Sequence, residues 1–63
     1  MKWQAVSTDG EVSGVIVEDE KAGFYLYLYR DGQCIADYLQ DTFDGAVETA
    51  VEIAGISKED WAS

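Results

Sequence analysis

The 63-residue sequence contains no histidine, no proline and a single cysteine, Cys34. Without histidine, the side chain most often used for general acid-base catalysis is missing, and no phosphate-cradling glycine loop or nucleophile elbow is present. One cysteine excludes an internal disulfide and therefore the class of secreted disulfide scaffolds. We predict that the chain is not an enzyme, with no catalytic, cofactor-binding or metal-binding residues and no cofactor.

Basic residues are also scarce, because four lysines and arginines stand against 13 acids and give a formal net charge of −9. A chain with this balance repels nucleic-acid phosphates and anionic membrane surfaces. We therefore expect no direct nucleic-acid partner and no membrane partner. A basic protein is the complementary partner, although acids also serve to keep a small domain soluble.

Long hydrophobic runs are missing as well. The first ten residues, MKWQAVSTDG, lack the apolar region of a signal peptide. No stretch approaches the roughly 20 apolar residues of a transmembrane helix. The sequence therefore predicts a cytoplasmic location.

What the chain does contain is enough apolar material to fold, with 48% hydrophobic and 13% aromatic residues. These fractions are too high for a disordered chain. A length of 63 residues allows one small domain, spanning residues 1–63, whose core barely offsets the entropy of ordering the chain. Self-association or a bound partner would therefore matter for its stability.

Two Asp-Gly pairs, Asp9-Gly10 and Asp31-Gly32, separate runs of alternating or apolar residues. Such pairs favour tight hairpin turns, since both central residues of a type I′ turn need positive φ. The first hairpin then pairs residue 3 with residue 16 and residue 5 with residue 14, with neither of its faces purely polar. The two hairpins predict an antiparallel meander of three to four strands whose strand order stays open.

The second hairpin, FYLYLYRDGQCIAD, alternates so that Tyr25, Tyr27 and Tyr29 lie on one face. A two-residue loop pairs Arg30 with Gln33, and uninterrupted pairing from there adds Tyr38 to the tyrosine face, together with Cys34 and Ala36. The other face then holds Phe24, Leu26, Leu28, Ile35 and Leu39, with Asp37 among them. A one-residue bulge would change the facing of the second strand but not that of the first.

Helical spacing follows the strands, with apolar residues on one side of the segment 43–54. Asp41 or Thr42 is suited to the N-cap, and Gly55 stands where a helix commonly ends in the left-handed conformation. Ser57 is suited to begin a short terminal helical turn, with Trp61 folding back onto the core. The predicted fold class is α+β, in the order β-β-β-β-α.

One helix covers only one face of a sheet, so the tyrosine face has no cover within this chain. We predict that Tyr25, Tyr27, Tyr29 and Tyr38 form a protein-binding surface, used for homodimerisation or for docking on a larger protein. The alternative for these residues is an ordinary half-wet sheet surface, for which tyrosine is well suited.

A second candidate surface is acidic. Asp44, Glu48 and Glu52 recur at intervals of four residues, which places them along one helix edge. Together with Glu18, Asp19 and Glu20 they form either a solvated surface or a nucleic-acid mimic. A mimic would bind a basic nucleic-acid-binding protein, as phage or plasmid inhibitors of restriction or CRISPR nucleases do. The Glu-Asp-Glu cluster lacks the spacing of a calcium loop.

The segment 23–61 resembles a group of short acidic bacterial proteins with an aromatic hairpin, a Cys-x-Ala-Asp segment, an Asp-Thr helix start and an acidic-Trp end. The matching positions are Gly23, Asp31, Gly32, Cys34, Ala36, Asp37, Asp41, Thr42, Gly55, Ile56 and Trp61. Members commonly carry Trp-His where this chain has Leu39-Gln40, and their helices contain lysine. The group has no established activity, so the resemblance implies a fold and a bacterial origin but transfers no functional residue.

Overall fold

The computed structural model describes residues 1–62 and contains one antiparallel sheet of four strands covered on one side by one helix. The strands are β1 (Lys2–Val6), β2 (Ser13–Asp19), β3 (Gly23–Arg30) and β4 (Gln33–Gln40). They lie in the sheet in chain order. Each strand therefore pairs with the strand that follows it, and a short connection joins the two. The predicted α+β meander is confirmed, and the open question of strand order is answered.

The first hairpin has the predicted register, in which Trp3 pairs with Ile16 and Ala5 with Gly14. Its loop is not the predicted type I′ turn, since of the central pair only Gly10 has a positive φ. The Ser7 hydroxyl donates to the Asp9 carboxylate at 2.6 Å and accepts from the Val12 amide at 3.0 Å. This side-chain network, rather than two left-handed residues, closes the loop.

The turn between β3 and β4 does follow the prediction. Asp31 and Gly32 have φ values of 53° and 78°, and Arg30 pairs with Gln33 on either side of them. Positive φ at both central residues is the requirement of a type I′ turn, whose twist suits the two flanking strands.

A β-bulge interrupts the pairing of β3 with β4 between Leu28 and Tyr29. Tyr29 still pairs with Cys34, but Leu28 pairs with Ala36, which leaves Ile35 as the extra residue. The predicted register is therefore wrong from residue 35 onward, because each later residue of β4 turns to the opposite face.

The helix α1 (Phe43–Ala54) begins at Thr42, whose hydroxyl oxygen accepts from the Gly45 amide at 2.9 Å. Of the two residues predicted for the N-cap, Thr42 rather than Asp41 thus occupies that position. The helix ends at Gly55 with φ 67°, where the amide of Ile56 donates to Ala50 and that of Gly55 to Val51. The bond from Gly55 to Val51 is that of the αL capping motif, which the left-handed glycine permits.

The core lies between α1 and the side of the sheet that faces it. Its fully buried large side chains are Ile16, Leu26, Leu28 and Ile56. An aromatic cluster of Trp3, Phe24 and Phe43 lies beside them, with the rings of Trp3 and Phe43 4.6 Å apart. The apolar spacing of the helix and the alternation of β3 meet here as predicted, although Val51 and Ile53 stay exposed at the border of the helix.

The C-terminal segment returns to the sheet after a 3₁₀ turn at Lys58–Asp60. Trp61 packs over Gly14, where an added Cβ would lie 2.8 Å from the indole. The indole nitrogen of Trp61 is buried and has no hydrogen-bond partner among residues 1–62. Ala62 and Gln4 exchange two backbone hydrogen bonds of 2.9 and 3.0 Å. The predicted return of Trp61 is confirmed, and this bridge covers part of the free edge of β1.

Candidate functional site: the open sheet face

The side of the sheet opposite α1 is covered by no other element within residues 1–62. Its residues follow from the register, because directly paired residues of neighbouring strands share a face. We call these residues the open face. They form three rows across all four strands, namely Lys2, Val17, Tyr25 and Leu39; Gln4, Val15, Tyr27 and Asp37; Val6, Ser13, Tyr29 and Cys34. The pair Asp19 and Gly23 adds a short row at the end of β2 and the start of β3.

The tyrosines form the centre of the open face. All three are half-buried although no second layer lies over them, since each packs beside its neighbours on β2 and β4. The rings of Tyr25 and Tyr27 stack with their centroids 6.1 Å apart and their planes at 17°. Aligned rings of this kind are rigid and carry a polar hydroxyl, so they tolerate water and still present a large apolar area.

Aliphatic side chains extend the apolar area on both sides of the tyrosines. Val15 and Val17 are half-buried between β1 and β3, while Leu39 at 50% and Val6 at 51% are among the most exposed large apolar residues. The largest apolar patch on the surface of a protein often serves as a contact surface.

The open face carries few charges, and all of them lie at its rim. They are Lys2 on the edge strand β1, Asp37 on the opposite edge strand β4, and Asp19 at the end of β2. All three are exposed. The face thus has one positive and two negative residues on a chain whose net charge is −9, which means that the acids of this protein lie mainly elsewhere.

Tyr38 does not belong to the open face. The bulge pairs it with Leu26, and it packs against the core on the helix side. The same shift moves Ala36 to the helix side and brings Asp37 and Leu39 out beside the tyrosines. The sequence did contain one signal of the bulge, namely Asp37. Pairing without a bulge would place its carboxylate beside the fully buried Leu26, and one extra residue in β4 avoids the cost of burying that charge.

Besides Asp37, the contributors to the open face that sequence reasoning missed include Lys2, Val6 and Leu39. Leu39 depends on the bulge. Val6 and Lys2 lie on β1, whose buried face the sequence left undecided because both of its faces carry apolar residues. The structure decides it by placing Trp3 against Phe24 and Phe43 under the helix.

The acidic surface divides into two parts of different character. Asp44, Glu48 and Glu52, which we call the helix stripe, are exposed on α1 and so belong to the layer opposite the open face. Glu48 pairs with Lys58 at 3.9 Å, and both side chains remain mostly in solvent. The stripe is therefore partly neutralised, by an exposed pair that contributes little energy.

The other acidic part comprises Glu18 and Asp19 at the end of β2 and Glu20 in the turn that follows. Glu18 and Glu20 are exposed, but the carboxylate of Asp19 accepts the amides of Lys21 and Ala22 at 2.8 and 3.0 Å. These two hydrogen bonds hold the pKa of Asp19 below its ordinary value, since they favour the charged form. Asp19 thus has a structural task in closing the turn.

Other chemistry has little support from the geometry. Residues 1–62 bring together no group of three or more carboxylate, thiol or imidazole side chains able to hold a metal ion, and they enclose no pocket. Cys34 is exposed on β4, with its thiol 3.5 Å from the carbonyl oxygen of Ala36. No helix in this part of the chain has the length and apolar character needed to cross a membrane.

Comparison with known proteins finds no matching family model, no matching curated protein and no matching solved structure. The resemblance of residues 23–61 to short acidic bacterial proteins thus rests on its sequence pattern and assigns no role to any residue.

Proposed function

We propose that the chain is a non-catalytic protein-binding module that acts through the open face in the cytoplasm of a bacterial cell. The observation that supports this most is the uncovered sheet face itself, with Tyr25, Tyr27 and Tyr29 along its middle and charged residues only at its rim. Tyrosine is favoured in protein interfaces, whereas charged residues are depleted from their centres.

The arrangement of the tyrosines suits binding better than it suits a bare surface. The rings of Tyr25 and Tyr27 already stack on each other and lie beside Val17 and Val15, so a partner would immobilise few new torsions of these two side chains. Burying the apolar faces of the rings would release water, while the hydroxyl groups can keep hydrogen bonds at the interface.

The test is affinity capture of the tagged full chain in the cell that encodes it, with an untagged copy expressed beside it. Tyr27→Ser removes the central ring and is expected to lose the captured protein, whether that is another protein or the untagged copy. The paired control Glu48→Lys with Glu52→Lys changes the helix stripe and is expected to retain it. Circular dichroism establishes that both variants are folded.

The opposite pattern would contradict the proposal. Loss of the partner in the glutamate variant only, with binding that weakens steeply as salt is added, would favour the nucleic-acid mimic acting through Glu18, Asp19, Glu20 and the helix stripe. Retention of the same partner by both folded variants would contradict both functions.

A further inference from the structure

We propose that the outer edge of β4 binds an extended segment of a basic protein, which joins the sheet as a fifth strand beside Asp37 and Leu39. The basis is the direction of the backbone groups on this edge strand, together with the charges around it. The inference goes beyond the proposed function, because it concerns the hydrogen-bonding edge of the sheet and not the tyrosines of the open face.

The two edge strands of the sheet, β1 and β4, differ in how the rest of the chain covers them. On β1, Gln4 and Ala62 exchange two backbone hydrogen bonds, so part of that edge already has a neighbour. On β4, no backbone hydrogen bond within residues 1–62 is made outside the pairing with β3. An edge whose N–H and C=O groups have no partner can pair with a further strand.

The free backbone groups of β4 include those of Asp37 and Leu39. In an antiparallel sheet the N–H and C=O of one residue point to the same neighbouring strand, and successive residues alternate between the two neighbours. Gln4 bonds outward to Ala62, which fixes this alternation for the whole sheet. Followed through the three registers, the alternation directs Tyr38 toward β3, and Asp37 and Leu39 away from it.

The β-bulge limits the length of this edge. Ile35 is the extra residue, and regular pairing of β4 with β3 extends from Ala36 to Gln40. A bulge shortens the part of an edge that another strand can follow, which restricts unspecific pairing. The regular part offers the N–H and C=O groups of Asp37 and Leu39, so it suits a short segment.

The charges around the edge favour a basic segment. Asp37 is exposed on β4, and the exposed Asp31 and Asp41 lie just beyond its two ends. No lysine or arginine occurs between residues 31 and 57, and Arg30 of β3 lies on the other side of the bulge. On a chain of net charge −9, a base opposite Asp37 forms an attractive cross-strand pair, whereas a second copy of β4 brings no base.

The side chains beside the free groups define the order of residues in the segment. Leu39, which is 50% exposed, and Asp37 lie on the open face, while Tyr38 lies between them on the helix side. A new strand sets one residue opposite each of these three, and apolar and opposite-charge cross-strand pairs both stabilise a sheet. A segment that continues the antiparallel pairing therefore has two apolar residues followed by a base.

Nuclear magnetic resonance of the isotopically labelled full chain tests the proposal with two blocked peptides. One is Lys-Thr-Val-Val-Lys-Thr, whose valines lie opposite Leu39 and Tyr38 and whose second lysine lies opposite Asp37. The other has glutamate in place of both lysines. The lysine peptide is expected to slow hydrogen exchange at the Asp37 and Leu39 amides. The glutamate peptide is expected to bind about tenfold more weakly, because it sets like charges opposite each other.

Leu39→Pro removes the outward N–H at this position and is expected to abolish binding of the lysine peptide. Proline is tolerated on an edge strand where the N–H faces solvent, so the pairing with β3 is kept. Val6→Pro is the matched control, because Val6 is 51% exposed on the other edge strand and its N–H points outward by the same alternation. It is expected to bind like the wild type. Circular dichroism establishes that both variants are folded.

Asp37→Lys keeps every backbone group and is expected to reverse the preference between the two peptides. An unchanged preference in this variant would overturn the charge selection. Exchange at Asp37 and Leu39 that stays unchanged at millimolar lysine peptide would overturn the proposal. Changes confined to the helix stripe, or binding retained by the folded Leu39→Pro variant, would overturn it as well.

Discussion

The two faces of the sheet are both apolar, yet they achieve this with different residues. On the covered face, Leu26 and Leu28 have exposures of 0% and 1%, and the small residues Gly14, Ala46 and Ala50 allow the helix and the C-terminal segment to approach closely. On the open face the same strand β3 carries three tyrosines, and none of the face's residues is fully buried.

This difference shows how one alternating strand can serve two environments. Aliphatic side chains have no polar atom to satisfy, so they suit a face that a helix seals completely. A tyrosine presents an apolar ring and a polar end, so it suits a face that is wet in one state and dry in another. The covered face should therefore determine the stability of the monomer, and the open face its association.

The largest effect is expected from Leu26→Ala on the covered face. Removing this fully buried side chain leaves a cavity beneath the helix and should cost about 2–5 kcal/mol of unfolding free energy. For a domain of this size that loss is enough to unfold much of the protein. Urea denaturation followed by circular dichroism measures it, and a loss below about 1 kcal/mol would contradict the sealed core.

Gly14→Ala should come next. A Cβ at this position would lie 2.8 Å from the Trp61 ring and 2.9 Å from the Ile56 side chain, so one of them must move. Overpacking of this kind costs about 1–3 kcal/mol. The same denaturation experiment measures the loss. Unchanged stability with an unchanged tryptophan emission spectrum would mean that Trp61 does not cover Gly14 closely.

Tyr27→Ser on the open face should change the stability of the monomer much less, by at most about 1 kcal/mol for its cross-strand contacts. Its effect should be on protein binding instead, as measured by the capture experiment described above. Denaturation at low protein concentration keeps the two effects apart. A loss as large as that of Leu26→Ala would show that the two faces contribute equally to the monomer fold.

The smallest effect is expected in the turns, which belong to neither face. Hydrogen bonds from the Ser7 hydroxyl and the Glu11 amide hold the pKa of Asp9 below its ordinary value of 3.8, and backbone amides do the same for Asp19. Because the pKa of each carboxyl is lower in the folded chain than in the unfolded chain, the two carboxylates stabilise the fold at pH values above 3.8. That stabilisation is lost as the pH falls through the lowered pKa of the folded state.

The double variant Asp9→Asn with Asp19→Asn keeps the acceptor oxygens but has nothing to titrate. Its melting temperature should therefore fall less than that of the wild type on acidification through this range. Both carboxylates are exposed to solvent, so the difference is expected to be small. If the melting temperatures of the two proteins fell in parallel as the pH is lowered, neither aspartate would link folding to pH.

The sequence by itself determined the elements and the two hairpins, whereas the order of the strands in the sheet stayed open. Alternation in 24–29, Asp-Gly pairs at the turns and helical spacing in 43–54 are local signals, and each acts through backbone geometry that does not depend on distant residues. The left-handed positions Asp31, Gly32 and Gly55 follow from the same local chemistry. They were predicted correctly for that reason.

Only the tertiary structure decided which residues the candidate site contains. The bulge at Ile35 removes Tyr38 from the open face and adds Asp37 and Leu39, since the alternative would bury a carboxylate beside Leu26. The facing of β1 was decided by Trp3 packing against Phe43, two residues far apart in the chain. The alternation of side chains along a strand fixes which residues share a face of the sheet. Packing across the whole domain then selects which of the two faces is buried.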